Sequence, residues 1–336
     1  MILYIISFII LVIILFFLFI KIKYNFWSTQ PVFHYYDLMY WLKPSGIINY
    51  DLPTFNKYVN LINIKTINLL DINSTDKQKI VYFIKNNFLN NYLVKYSPNK
   101  KHIFNYLKHN NHPSFITIFK KKNLLVNNNI TDIVNDEKII GLITSNVLYI
   151  KISNIIFPVY YVDNLCVNKD NRKSGIAPQL IQTHYYNIRR LNKNIITCLF
   201  KREGSLTAIV PLTTYQTYLF DIISIIQNNL YSLFDYKYKH IRITKQTFYL
   251  LKIFIQNNNH LFDCIIIPDF SNLLYLIINE NIYVYALLFN NIIVSVYFYR
   301  NSCLKYNLHK NHNLIYQNNQ NNQNNQNNQN NQNNQN

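Results

Sequence analysis

The sequence predicts a mixed α/β protein preceded by one membrane-spanning helix. Three observations carry this. Residues 1–20 form an almost uninterrupted apolar run, about as long as a ~30 Å hydrocarbon core requires at ~1.5 Å per residue. Residues 155–167 are apolar, many of them β-branched, and feed a polar turn and a helix start. Around them, segments of helical periodicity alternate with β-branched runs.

Each element follows from local pattern. The first run has no basic start and no small-residue cleavage site, which separates it from a secretory signal. Lys21 and Lys23 follow directly, and the positive-inside rule places the body of the protein in the cytosol. Apolar on every face, such a helix is ill suited to a soluble core. Residues 24–42 read as an extended, aromatic-rich arm. Ser74, Thr75 and Asp76 are positioned to cap a helix over 77–90, with Ile80, Phe83, Ile84 and Phe88 on one side. Residues 99–110 read as a further helix. Residues 115–119, 138–144 and 147–152 read as strands of a hairpin-linked sheet, and 155–167 brings the chain to the turn. A helix over 179–190 follows, and 195–218 leads away from this unit. Residues 241–257 read as a helix, and 261–267, 282–288 and 292–299 as strands. The Asn-Asn-Gln repeat of 317–336 buries nothing apolar and is expected to be disordered.

Composition narrows the function classes. A chain of 336 residues, 49% hydrophobic, holds one large or two modest domains. Its net charge of +18 would attract nucleic acid, anionic lipid or the phosphates of a nucleotide. No zinc-finger or basic-zipper pattern supports specific nucleic-acid recognition. Heavy use of Asn, Ile, Lys and Tyr, all with A/T-rich codons, accounts for much of the basic excess. Cys166, Cys198, Cys264 and Cys303 lie far apart with no C-x-x-C, which argues against a disulfide framework or zinc site and suits a reducing compartment. His109-x-x-His112 and His309-x-x-His312 have ligand spacing but lack neighbouring Cys or paired carboxylates, so no metal is assigned. The sequons at Asn73 and Asn129 are the kind that chance supplies in an Asn-rich chain.

The densest signal is Val162-Asp163-Asn164-Leu165-Cys166-Val167, a polar turn, then Arg172-Lys173-Ser174-Gly175-Ile176-Ala177-Pro178. A strand, a glycine-containing turn and a helix N-terminus make an anion cradle. Unpaired N–H groups and the helix dipole favour negative charge, and Arg172 and Lys173 add full charges. Gly175 removes a Cβ from the approach, and Pro178 suits a first helical turn.

The Arg172-x-x-Gly175-x-Ala177 spacing resembles the pyrophosphate loop of the GNAT acyl-CoA transferases. Tyr24-Asn25-Phe26-Trp27-Ser28-Thr29-Gln30-Pro31-Val32 resembles the Tyr-Lys-Phe-Trp-x-Thr-Gln-Pro-Val segment of N-myristoyltransferases, glycylpeptide N-acyltransferases built from two GNAT-like halves. Asp163 to Arg172, with Ala177-Pro178, is similar to that family's Asn-Phe-Leu-Cys-Val-His-Lys-Lys-x-Arg-x-x-x-x-Ala-Pro. Asn91-Tyr92 and Tyr96-Ser97-Pro98 echo weaker family segments, and Gly204, Pro211 and Thr213 loosely echo a connecting one. The resemblance is good over 24–190, weak to 218 and faint beyond.

It implies an anchor (1–20), an acyl-CoA-binding GNAT-like half (21–218), a shortened second half (219–316) and a tail (317–336). It implies myristoyl-CoA as co-substrate with no prosthetic group, and a protein N-terminal glycine as acceptor. Arg172, Lys173, Ser174, Gly175, Ile176 and Ala177 would hold the CoA pyrophosphate, and Tyr24, Phe26 and Trp27 would cover the nucleotide. The N–H groups of Asn164 and Leu165 match the family's oxyanion pair, with Asn164 in place of Phe. A backbone donor survives that exchange, though the Asn side chain can compete for a hydrogen bond. The family's base is its C-terminal carboxylate. Here the sequence closes on Asn336 inside a polar repeat, so no base is assigned, and Asp163 is expected to be structural. Two other readings stay open: an acyl-CoA-binding scaffold at a membrane with weak or no turnover, and a GNAT enzyme using a short acyl-CoA.

Overall fold

The computed structural model describes residues 2–42, 46–125, 134–152, 155–202, 209–218, 220 and 237–306. The sequon at Asn129, Gly204, the His309/His312 pair and the repeat tail lie outside them.

Helix α1 (Ile2–Lys23) is apolar around its whole circumference, and its membrane-length window is entirely uncovered by the rest of the chain. Its end runs straight on, with Ser28 N–H bonded to Tyr24 O. The arm beyond is less extended than its sequence implies. It holds a 3-10 turn at Trp27–Thr29 and a short helix α2 (Leu38–Leu42).

The main sheet has the order β1 (Ile64–Asn68), β3 (Phe115–Leu125), β4 (Val134–Ile152), β5 (Ile155–Val167) and β6 (Thr197–Phe200), while β2 (Val94–Tyr96) lies in a separate pair. Neighbours are antiparallel except β5 and β6, which are parallel. Strand β4 is continuous where two strands, 138–144 and 147–152, were expected. The intervening Ser145 and Asn146 are polar yet stay in register with Val162 and Tyr161, and Ser145 is fully buried. Strand β6 also lies inside the stretch expected to leave this unit.

Period-2 alternation separates two faces. Ile116, Ile118, Leu142 and Cys166 meet α3 (Ser74–Asn87) and α4 (Lys100–Leu107) through Ile80, Phe83, Ile84, Ile103, Phe104 and Leu107. Phe119, Ile140, Ile143 and Val167 meet α5 (Ile176–Leu191) through Ile176 and Leu180. The sheet is thus sandwiched between helices. The helix over 77–90 starts earlier than expected because Asn73, rather than Ser74 to Asp76, supplies the cap, its Oδ1 accepting Asp76 N–H at 2.7 Å. Asn99 caps α4 in the same way.

The C-terminal part has its own core, built from β7 (Tyr238–Arg242), α6 (Phe248–Asn258), α7 (Phe270–Ile278), β9 (Ile282–Phe289) and β10 (Ile292–Arg300). The expected helix over 241–257 is therefore a strand and a helix, broken by a turn in which Thr247 Oγ1 accepts Thr244 N–H. Strand β8 (Cys264–Pro268) pairs with β4 over residues 148–152. Since β5 fills one edge of β4, β8 continues the edge that β3 occupies over 134–145. One long strand therefore joins both parts. β11 (Leu304–Tyr306) pairs with β2.

Helix α5 is seated by an absence. A Cβ on Gly141 would lie 2.6 Å from Leu180 Cδ1 and 3.2 Å from Ile176 Cγ2, and Leu180 is fully buried with nowhere to retreat. Beneath the same helix runs a polar chain. His184 Nδ1 meets Thr117 Oγ1 (2.7 Å), Thr117 meets Thr66 Oγ1 (2.7 Å), and Asn187 Nδ2 donates to Thr66 (2.9 Å). Burial lowers the His184 pKa from 6.5 to about 3, so the imidazole is neutral.

Two outcomes follow. Gly141→Ala should cost about 1–3 kcal/mol in urea unfolding, through overpacking against Leu180. For His184, the unfolded chain takes up its proton first as pH falls, so stability is full above the unfolded value and declines below it. Between pH 6.5 and 5 the loss should be about 2 kcal/mol, and His184→Asn should remove that part of the slope whatever its own offset.

Candidate functional site

The register of β5 against β4 slips between the pairs Leu142–Cys166 and Thr144–Asp163. Asn164 and Leu165 therefore oppose Ile143 alone, which is a β-bulge. Asn164 takes a left-handed φ of 53°, a conformation Asn tolerates better than most residues. Thr144 braces it: Asn164 Nδ2 donates to Thr144 Oγ1 at 3.0 Å, and that hydroxyl donates to Asp163 O at 3.1 Å. On the far edge, β6 pairs with β5 only from Val159 to Val162. From Asp163 to Val167 that edge has no strand neighbour among the described residues. A bulge beside an open edge exposes backbone donors to a ligand.

The structure places the two proposed oxyanion donors differently. Asn164 N–H donates to Asp163 Oδ1 at 2.7 Å, so the protein's own carboxylate covers it. Leu165 lies against the apolar cluster under α5 with Val162 and Ala177. Asp163 is exposed and adds, after burial and Cys303, to the upward shift of the Tyr96 pKa. Tyr96, on one of the weaker matched segments, is thus within electrostatic reach of the bulge.

The chain then turns through a 3-10 turn at Lys169–Asn171. Lys173 (φ 65°) and Gly175 (φ 77°) both take left-handed backbone, and Ser174 Oγ donates to Asn171 O at 2.6 Å. Gly175 is the N-cap of α5. A Cβ there would meet nothing within 4 Å, so the glycine serves its φ, and the space in front of it is open. Gln179 N–H reaches Gly175 O at 3.4 Å. Ile176 and Ala177 precede that bond, and their N–H groups have no intrahelical acceptor, while Pro178 has no N–H to satisfy. Arg172 departs from expectation: its Nη2 donates to Asn87 O (2.8 Å) and its Nε to Val167 O (3.4 Å). Most of the guanidinium thus fastens the C-terminus of α3 to the end of β5. Lys173, like Lys169 and Arg172, is exposed.

The aromatic arm is brought to the same place. Phe26 is buried, edge-on to Trp27 and to Tyr58, and Trp27 stacks on Phe200 at the end of β6 (5.4 Å). Tyr24 lies under the Lys23 ammonium, 5.5 Å from Nζ to ring centre. Gln30 donates to Gln182 of α5 at 3.0 Å. A loop runs back along α5, with Arg189 and Arg190 holding the carbonyls of Tyr50 and Pro53, and Asn60 bonding Gln179 and Thr183. Gly141, Thr144, Asn60, Gln182 and Phe200 were not picked out from sequence. Only Gly141 left a signal, as a lone glycine inside a strand pattern.

The cysteines give no nucleophile here. Burial pushes Cys166 and Cys198 up to about 12, and both thiols stay protonated. Among the described residues no three His, Cys, Asp or Glu converge as a metal set.

With the site assembled, the class is that of a GNAT-like acyltransferase fold. In particular it is the fold of N-myristoyltransferase. Structures of the Saccharomyces cerevisiae enzyme with bound myristoyl-CoA match at TM-scores of 0.55 and 0.57, covering 82% and 83% of this chain and 69% and 66% of theirs, each at 14% identity. A structure of that enzyme with myristoyl-CoA and inhibitors matches at 0.57, over 82% of this chain and 67% of its own. No family model and no curated protein sequence matches. At this identity the likeness establishes the fold.

The bulge makes one prediction. Asn164→Gly should leave stability within about 0.5 kcal/mol, whereas Asn164→Val should cost about 1–3 kcal/mol by forcing a β-branched residue to positive φ. Chemical denaturation of the two variants checks it.

Proposed function

We propose that the chain is an acyl-CoA-dependent N-acyltransferase that moves a long acyl group, myristoyl, from CoA to the N-terminal glycine of a protein. The observation that carries this is the bulge at Asn164 and Leu165, on an open strand edge that runs directly into the N-terminus of α5. A thioester lying along that edge has its carbonyl at the bulge and its pyrophosphate at the helix start, where Lys173 and the Ile176 and Ala177 N–H groups meet it. Trp27, Phe26 and Tyr24 close over the nucleotide from the arm. The structures matched are of an enzyme that binds myristoyl-CoA, which supports the long chain.

The chemistry asks little of side chains. A neutral glycine amine attacks the thioester carbon, and the carbonyl oxygen becomes an oxyanion at the bulge. The C–S bond then breaks, and CoA leaves as the thiol after taking up the proton the amine has lost. An oxyanion donor is worth about 3 kcal/mol of barrier. Each buried methylene of the acyl chain adds about 0.8 kcal/mol to binding. On this reading residues 21–218 form the acyl-CoA half, 219–316 a shortened second half, and α1 an anchor that leaves the catalytic part in the cytosol.

One observation favours a second reading, an acyl-CoA-binding protein with little turnover. The Asp163 carboxylate sits on the Asn164 N–H in the free protein, so the acyl oxygen must displace a like charge to reach it.

Calorimetric titration of myristoyl-CoA into the detergent-solubilised full chain tests the proposal. Affinity should exceed that for acetyl-CoA by orders of magnitude, and Lys173→Ala with Gly175→Val should abolish it. Formation of a myristoylated Gly-initiated peptide then separates the enzyme from the binder. Equal affinity for acetyl- and myristoyl-CoA would leave only a short-chain GNAT enzyme, and no binding by folded protein would end the acyl-CoA reading.

A further inference from the structure

A second basic concavity lies away from the bulge. A cavity of about 270 Å³ is lined by Ser74 and Lys77 of α3, by Lys100, Lys101, Phe104 and Asn105 of α4, and by Lys108 at the C-terminal cap of α4. Four lysines surround it and no acidic side chain lines it. None of the four ammonium groups has an ion-pair partner among the described residues.

This concentration of charge is not explained by the fold. Lys108 is the C-cap of α4, but Lys77, Lys100 and Lys101 sit in first turns, and a helix N-terminus is already the positive end of the dipole. Lysines are unfavourable there, and Asp76 is the only acidic residue in either first turn. Burial, then the charges of Lys108 and Lys100, hold the Lys77 pKa below its usual value. The floor is rigid. Phe104 is buried in the α3–α4 core, with Lys77 Nζ 6.0 Å from its ring centre. Asn105 is locked by Asn281 (2.7 Å) and by the Tyr275 hydroxyl (3.3 Å). The lysine heads thus converge over a fixed floor.

We propose that this cleft, between the first turn of α3 and the face of α4 that runs from Lys100 to Lys108, is a second anion site, taking a phosphate-bearing ligand whose charges are met by Lys77, Lys100, Lys101 and Lys108. Lysine ammonium groups bind phosphate as point charges, and two helix N-termini add N–H donors. A cavity of this size takes a pyrophosphate or a phosphorylated headgroup, and α1 gives the protein reason to meet the latter at a membrane surface. The two sources share one chemistry and differ in delivery.

Lysine footprinting on the intact protein tests this. Full chain, reconstituted in phosphatidylcholine vesicles with or without a phosphoinositide, is treated with an amine-reactive ester. Separate samples receive inorganic pyrophosphate, and modification is read by mass spectrometry. Lys173 reports the cradle at α5, while Lys77 and Lys108 report this cleft, so the two sites are distinguished in one digest. Protection of Lys77 and Lys108 by pyrophosphate alone assigns a soluble phosphate ligand, and protection by phosphoinositide vesicles assigns a headgroup. Lys77→Gln/Lys108→Gln should weaken binding at the cleft about tenfold or more, with a melting temperature no lower than that of the parent because repulsion is relieved. Unchanged reactivity of Lys77 and Lys108 under both ligands overturns the site. So does a double variant that melts well below the parent, since the lysines would then be structural.

Discussion

The contact on which the site depends is the seating of α5 on β4. With no Cβ on Gly141, Leu180 and Ile176 lie directly against the strand. That fixes how far the N-terminus of α5 stands from β5, and so where the open turn falls relative to the bulge. The polar chain from His184 through Thr117 and Thr66 to Asn187 fixes the rotation of the same helix. Turning the helix would break these buried hydrogen bonds, which is costly away from water, even though His184 Nε2 is already buried without a partner. Position and rotation are thus set by different residues on one helix, before any ligand arrives.

From that seat the remaining parts are hung. Arg172 ties the end of β5 to the C-terminus of α3, and it does so with the nitrogens an anion would otherwise engage. Its cost to ligand binding is a cation, and its gain is a fixed turn in which Lys173 and Gly175 hold left-handed backbone. Asn60 and Gln30 bind the other side of α5, which places Phe26, Tyr58 and Trp27 beside the end of β6. The strand edge then opens where β6 stops at Phe200. The contacts of Gln30 and Asn60 are long-range in sequence and fall on α5 at Gln179, Gln182 and Thr183.

Legibility in the sequence followed how local the physics was. The β5 strand and its bounds, the apolar α1 and the turn before α5 rest on contiguous pattern, and the matched segments around Trp27 and Arg172 could be read directly. Strand β1 failed because Ile64-Lys65-Thr66-Ile67-Asn68 has too few apolar positions for a period to show. Strand β4 was split because Ser145 and Asn146 look like a turn, whereas pairing with Val162 and Tyr161 of β5 carries the strand through them. The segment after 241 was read as one helix, whereas pairing of Ile241 and Arg242 with β9 makes its start the end of a strand. Within the site, the turn and helix start around Arg172 were legible, and the hydrogen-bond partners of Arg172 were not. Arg172 was expected to hold an anion and holds a helix end, a difference set by Asn87, 85 residues earlier.

Helix α3 links the two basic regions, and its polarity separates their roles. Its C-terminal carbonyl end is met by Arg172, the favourable sense for a cation. Its N-terminal end carries Lys77 and faces Lys100 and Lys108, the unfavourable sense. The same residue class therefore stabilises the helix at one end and opposes it at the other. A charge placed against its local field is relieved by a counter-charge. Among the described residues the chain supplies none at the lysine cleft, whereas at the bulge it supplies Asp163 to Asn164 N–H. The protein thus covers a donor of its proposed reaction centre with its own anion and leaves the lysine cleft to an outside one. On the proposed readings, a ligand at the first must displace a carboxylate, while an anion at the second only relieves repulsion.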